Sequence, residues 1–512
     1  MESFIPLFVI LPLAAAFLIP IVGKFVSGFQ MTLSNLVFLF LAAAGVWFLF
    51  DSNTEAVSYT VGGWEPVNGI PIAIYLVADG LSLIMLAIIN TMAFLSGFYA
   101  ISYLKQYTAP DNFYALLCLM VAGMNGVVLT GDLFNLYVFL EIAVIASYAL
   151  VAFGTGKEEL EASFKYQVLG GIASLLILFG VAMVYWKTRT LNIADAATLL
   201  KHSHDRTFHL FVQLLFITGF GLKGALIPFH AWLPDAHSSA PSPISAMLSG
   251  VLIKAIGIYC MIRIFFNMFI LTEEFAVILT TLGALSMVLG ALIAMVQNDM
   301  KRMFAYSSIS QVGYIITGIG MGMIILARKG DQGIAALAIG GGLFHMINHA
   351  VFKGLLFLNA GAVEYENRTR NLDELGDLST VMPVTYGTSL TASLSVSGIP
   401  PFNGFFSKLI IIIAAIQGHF YLLAALAVVV SIITLGYFLK FQKQAFFNVS
   451  RFFNKLKIKE VPFTMCFSMI VLAILCLVLS LLVFPGPRDL ILTPAVEAVM
   501  NVKEYSTIIT GI

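Results

Sequence analysis

The chain has 512 residues, and its 27 Lys and Arg balance 27 Asp and Glu, so a formal net charge of zero gives no sign of a nucleic-acid partner. Hydrophobic residues make up 60% and charged residues 11%, whereas a soluble domain carries about 25% charged residues. With a mean hydropathy of +0.96, this composition excludes a soluble globular enzyme and indicates a polytopic membrane protein.

In chain order, the first apolar run, "MESFIPLFVILPLAAAFLIPIVGK", lacks a positive leading region and is expected to be a retained helix rather than a cleaved leader. Bilayer-length runs follow, and the full set is 3–22, 29–50, 78–104, 113–131, 133–153, 162–186, 208–229, 243–268, 274–297, 302–326, 334–359, 383–418, 420–447 and 462–484. At about 20 residues per crossing they predict an all-α protein of about fourteen transmembrane helices. The longest loops, 51–77, 187–207, 360–382 and 448–461, leave no room for a soluble catalytic domain. Cys118, Cys260, Cys466 and Cys476 stand singly in apolar runs, without metal spacing, and read as inert packed thiols.

Loops after odd-numbered helices hold fourteen Lys and Arg: Lys24, Lys105, Lys157, Lys165, Lys301, Arg302, Arg368, Arg370, Lys440, Lys443, Arg451, Lys455, Lys457 and Lys459. Loops after even-numbered helices hold seven: Lys187, Arg189, Lys201, Arg206, Arg263, Arg328 and Lys329. That bias places the odd loops in the cytoplasm and both termini outside a cytoplasmic membrane, although the loop 187–207 runs against it.

Two segments are broken: "LKGALIPFHAWLPDAHSSAPSPISA" at 222–246 and "SVSGIPPFNGFFSKL" at 395–409. Proline removes a backbone donor, and a bilayer tolerates the break only where protein or a water-filled cavity satisfies the freed groups. The breaks fall in the seventh and twelfth helices. Their spacing suggests a five-helix repeat, helices four to eight and nine to thirteen, with a transport path at the breaks. The corresponding regions are 1–110 (helices one to three), 111–270 (first repeat), 271–447 (second repeat) and 448–512 (loop, helix fourteen and short tail).

Ionisable groups inside the membrane are costly, and they pair, line water or sit neutral. Glu141 lies nine residues past Asp132, near the middle of its span, either hydrogen-bonding a neighbouring helix or acting in transport. A Glu141–Lys223 pair would be a switch, because a nearby carboxylate holds the lysine proton and separation releases it; a fixed helix-tying pair is the alternative. Lys254 lies too deep in its run to reach an interface. Lys408 follows Pro401 by seven residues and either serves transport or caps carbonyls freed by the break. His345, His349 and Lys353 follow at four-residue steps, each step rotating only ~40°, so one side of their helix is polar over about 12 Å. A proton relay explains them better than a metal site, since no Cys, Asp or Glu stands beside them in sequence. Lys165 reads as an interfacial salt-bridge residue. His230 and His237 flank the first break, either contacting water or packing in the loop. Asp79 and Asp132 read as N-caps.

The stretches "GDLFNLYVFLE" (131–141), "GLKGALIPFHAWLPDAHSSAPSPISAMLSG" (221–250), "HMINHAVFKGLLFL" (345–358) and "SGIPPFNGFFSKL" (397–409) resemble the antiporter-like membrane subunits of respiratory complex I, Mrp-type sodium/proton antiporters and group 4 membrane-bound [NiFe]-hydrogenases. The first is most similar to the Mrp D subunit and its hydrogenase counterpart. The resemblance implies fourteen helices in two inverted five-helix repeats with helices seven and twelve broken. It implies proton translocation along a mid-membrane axis: Glu141 and Lys223 as the switch pair, Lys254 as central relay, His345 and His349 as the relay histidines, and Lys408 as the exit group. Some relatives carry glutamate at that last position. Lys165 is similar to a sixth-helix lysine of some members, and Lys353 and His230 are additional candidates. Only a short tail follows about residue 484, so the long lateral helix of the distal complex I subunit is not expected here.

The expected function is therefore proton translocation in a multisubunit membrane complex, either redox-driven or in an Mrp-type antiporter, and without a catalytic centre in this chain. No cofactor or metal is expected here; Fe–S clusters or a NiFe centre would belong to partner subunits. Expected partners are other membrane subunits and protons, with any Na+ path lying in a partner subunit. The other readings are a quinone-contacting subunit and a scaffold with a vestigial channel.

Overall fold

A chain this apolar must satisfy its backbone hydrogen bonds inside each membrane segment, and helices do so. The structure, a computed structural model, describes residues 2–50, 56–64, 71–203, 205–448 and 458–501. It is predominantly helical, and twelve of the described helices are long and apolar enough to cross a membrane. Arg451, Lys455 and Lys457 from the loop count, and Lys503 in the tail, lie outside the described residues.

The N-terminal part comprises α1 (Leu7–Val22), α2 (Phe29–Phe50), an antiparallel ribbon β1 (Val57–Thr60) and β2 (Tyr75–Ala78), then α3 (Gly80–Tyr103). Next come α4 (Pro110–Leu129), α5 (Leu133–Val151), α6 (Lys157–Thr188) and α7 (Ile193–Lys201). The first break divides α8 (Arg206–Lys223) from α9 (Trp232–Ser239), and α10 (Ser242–Asn267) follows, π-helical around Lys254. Beyond it lie α11 (Glu273–Met295), α12 (Met300–Ala327) and α13 (Gln332–Asn367). The second break divides α14 (Pro383–Ser397) from α15 (Asn403–Gln417). Last come α16 (Tyr421–Phe447), α17 (Phe463–Val483) and α18 (Pro485–Met500).

α10 and α12 are buried along nearly their whole length, whereas α1, α2, α6, α16 and α17 turn most of their surface outward. Those outward faces carry Trp47, Phe164, Leu175, Ile432 and Phe463, the chemistry of a lipid-facing shell. Between α11 and α12 the contact is made by small residues, as membrane helices without a hydrophobic drive require. A Cβ on Gly313 would come within 2.2 Å of the Met287 backbone nitrogen. Gly313→Ala is therefore expected to destabilise the protein by about 1–3 kcal/mol, read as a lower unfolding temperature in detergent.

Three elements were not read in the sequence. The ribbon lies in the expected loop 51–77, α7 lies in the expected loop 187–207, and the expected tail forms α18, which packs on α3 and α13. Two cations counted as loop residues are buried instead. Lys301 forms an ion pair with Glu364 at 2.7 Å. Arg263, 1% exposed, meets Asp79 through two bonds, Nη1 to Oδ2 at 2.7 Å and Nη2 to Oδ1 at 2.8 Å. Asp79 is also the expected N-cap, accepting from Ser82 N at 2.9 Å. Tyr259 touches Arg263 and donates to the Val128 carbonyl at 2.6 Å, so this cluster ties α3, α4 and α10 together.

Candidate functional site

Both breaks stop a helix inside the bundle and free backbone groups that nearby residues satisfy. At the first, α8 ends at Lys223, and Trp232 Nε1 donates to the Leu222 carbonyl at 2.8 Å. Ser286 Oγ accepts from Ile227 N at 2.9 Å. At the second, α14 ends at Ser397, and Gly398 takes a left-handed conformation (φ +81°) that favours glycine. Lys408 Nζ donates to the Val396 carbonyl at 2.8 Å, so the lysine does cap a carbonyl at the break. The same ammonium lies 4.7 Å from the centre of the Tyr314 ring and lines a cavity of about 220 Å³ shared with Ser397, Phe405 and Ser431.

Glu141 and Lys223 come together, with Nζ 3.8 Å from Oε1, beyond hydrogen-bonding distance. Ser174 of α6 fills the gap: Lys223 Nζ donates to Ser174 Oγ at 2.8 Å, and Ser174 Oγ donates to Glu141 Oε1. Lys223 is 1% exposed, while the Glu141 side chain keeps 25% of its surface open on the outer face of α5.

The centre of the bundle gathers Lys254, His345, His349 and Lys353, each fully buried. Lys254 Nζ donates to the Ser249 carbonyl, and Lys353 Nζ donates to the Phe304 carbonyl at 2.9 Å. Lys353 is thus deep in the protein rather than at an interface. His345 is held at both ring nitrogens, Nδ1 by Ser407 Oγ at 2.9 Å and Nε2 by Gln311 Oε1 at 3.1 Å. Among the described residues neither ring nitrogen of His237 has a hydrogen-bond partner, and those of His349 have none beyond a loose approach to the Ser308 backbone. Lys254, Lys353 and His345 all lie within electrostatic reach of His349. Lys254 and Lys353 also reach His237, and Lys254 and Lys408 reach His345. Buried polar atoms left open in this way are the usual seats of ordered water.

Lys165 and His230 do not join the buried row. Lys165 is half-exposed and pairs with Glu161 at 2.7 Å and Asp235 at 3.1 Å; Arg302 meets Asp235 at 2.6 Å. This charged rim pins α9 to α6 and α12. His230 is half-buried against Tyr306. Sequence reasoning missed Ser174, Gln311 and Ser407, because serine and glutamine in an apolar run carry little signal alone. Of the two residues expected to flank the first break, His237 is fully buried and packs against Trp232 and Phe357. Among the described residues no group of three or more His, Cys, Asp or Glu is placed to hold a metal ion.

Residues 130–434 match the family described as "NADH:quinone oxidoreductase/Mrp antiporter, TM", and residues 64–114 match "NADH-Ubiquinone oxidoreductase (complex I), chain 5 N-terminus". The chain belongs to this family. The N subunit of the NADH-quinone oxidoreductase of Desulforudis audaxviator is 36% identical over 452 residues, covering 86% of this chain and 85% of that one. The D subunit of the Na(+)/H(+) antiporter of Alkalihalophilus pseudofirmus is 33% identical, covering 86% and 87%. The fold matches a chain of the Mrp complex from a Dietzia species with a TM-score of 0.87 at 26% identity, covering 100% of this chain and 99% of that one. It also matches a chain of the archaeal membrane-bound sulfane sulfur reductase, a respiratory membrane complex, with a TM-score of 0.86 at 30% identity over 99% of both chains. The resemblance carried by the four motifs is thus borne out at the level of the family, and the chain is an antiporter-like, multi-pass membrane protein.

Proposed function

We propose that this chain translocates protons as one subunit of a multisubunit membrane complex. The observation that supports the reading is two stretches of ionisable groups inside the bundle: Glu141 and Lys223 joined through Ser174, and Lys254, His349, His345 and Lys408 within electrostatic reach of one another in turn; we read the two stretches as one row. Isolated charges in a low-dielectric interior are expensive. Four lysines and three histidines without a carboxylate beside each one are more economically explained as proton carriers in a hydrated path than as structural elements. Opening of the Glu141–Lys223 contact gates transfer, and Lys408 at its cavity passes the proton on. Lys353 and His237 flank the centre and tune its charge.

The two ends of the row support a neighbouring subunit on each side. Glu141 reaches the outer face of α5, where a carboxylate against lipid is unfavourable, and the Lys408 cavity opens between α15 and α16. We read the two breaks as marking two five-helix repeats of opposite orientation, with both termini outside the cytoplasmic membrane. The relatives include an antiporter subunit, an oxidoreductase subunit and a respiratory reductase chain, so the driving force is either a sodium gradient or a redox partner. Co-purifying Fe–S or nickel-bearing subunits would identify a redox host. For translocation itself, Lys254→Ala is expected to leave the complex assembled and remove coupled proton movement in membrane vesicles; undiminished movement would overturn the reading.

A further inference from the structure

The Lys223–Glu141 pair is too far apart to bond directly, and one hydroxyl occupies the space between. That hydroxyl, Ser174 Oγ, is 4% exposed by residue and has two acceptors within reach: Glu141 Oε1 and, at 3.0 Å, the carbonyl of Gly170 one turn earlier in α6. It has one proton to give. Lys223 Nζ, which can only donate, points at the serine oxygen at 2.8 Å.

We propose that Ser174 is a positioning residue for the switch pair, a hydroxyl rotor that sets whether Lys223 and Glu141 are coupled. This rests on the reading of Glu141 and Lys223 as the gate. With the hydroxyl proton turned to Glu141, an unbroken chain of bonds joins ammonium, hydroxyl and carboxylate, and the lysine holds its proton. With it turned to the Gly170 carbonyl, Ser174 still accepts from Lys223 but no longer bonds the carboxylate, and the link opens without any movement of backbone. No covalent bond to carbon changes; only the hydrogen bond of one O–H is exchanged. The position next to the rotor is tight: a Cβ on Gly170 would fall 2.0 Å from the Tyr148 hydroxyl oxygen, so α6 is held close to α5 where the rotor works.

The test compares Ser174→Ala, Ser174→Thr and Glu141→Ala in the assembled complex, by dye-monitored proton movement in membrane vesicles, with complex content measured in each. Loss of one hydrogen bond to a charged group predicts about a tenfold or greater fall in rate for Ser174→Ala, with threonine restoring at least about half of the wild-type rate because it keeps the hydroxyl. The concentration of driving cation or electron donor giving half-maximal rate should stay unchanged, since the rotor touches neither. A wild-type rate in Ser174→Ala alongside a dead Glu141→Ala overturns the rotor and leaves the gate intact. Equal loss in the alanine and threonine variants also overturns it, because the hydroxyl would then not be what matters. Wild-type rates in Ser174→Ala and Glu141→Ala together would remove the gate reading itself.

Discussion

Replacing Glu141 or Lys223 by alanine is expected to abolish coupled proton movement while the complex still assembles. The Glu141 carboxylate touches Ser174 and faces Lys223, and part of it stays open on the outer face of α5, so its removal takes away charge and little packing. Lys223 would then have a serine oxygen but no counter-charge, and would sit neutral rather than cycle. Lys223→Ala removes the proposed carrier and leaves Glu141 on the partly open outer face of α5. A proton-transfer group typically contributes about a hundredfold or more to rate, so the loss in each variant should be near complete. The check is proton movement in vesicles normalised to complex content. Full transport in both variants contradicts the switch.

Arg263→Ala is expected to have the largest effect on stability, and for the opposite reason. Arg263 and Asp79 are both buried, bonded through two contacts and shared with Tyr259 and Ser82. Removing one partner strands the other charge and costs about 3–5 kcal/mol. Asp79→Ala should do the same and also remove the cap of α3. Little assembled complex should be recovered from membranes in either case. The double variant Arg263→Met with Asp79→Leu, which strands no charge, should recover much of it. Normal complex levels in Arg263→Ala would show that the pair does not hold α3 to α10. Glu141 and Lys223 are loosely joined and expected to be dispensable for assembly; Asp79 and Arg263 are tightly joined and expected to be needed for it.

The spans were legible because a bilayer fixes helix length, and the breaks because proline leaves no doubt where a backbone donor is missing. The described α14 and α15 meet at the expected prolines, and α8 ends at Lys223, five residues before Pro228. The buried ionisable residues were legible because composition makes each of them rare. Arg263 and Lys301 were misplaced as loop residues because they stand near helix ends, where sequence cannot tell an exposed cation from one turned inward to a carboxylate. α7 and α18 were missed because neither is a bilayer-length apolar run. Ser174 carries no mark in the sequence at all: its importance comes from α6 lying against α5 and α8, a tertiary fact. The same holds for Ser407 and Gln311, which fix the His345 ring only because α12 and α15 pack on α13.

In the proposed row Lys254 stands between the switch pair and the histidines: it reaches both histidines of α13 and has no carboxylate partner of its own among the described residues. The decisive measurement is proton flux in proteoliposomes holding the purified, assembled complex, followed with an internal pH dye under the driving gradient or electron donor. Wild-type complex should build a pH difference, and Lys254→Ala complex, present in equal amount, should build none. A pH difference of wild-type size and rate in the Lys254→Ala liposomes would contradict translocation along the buried row.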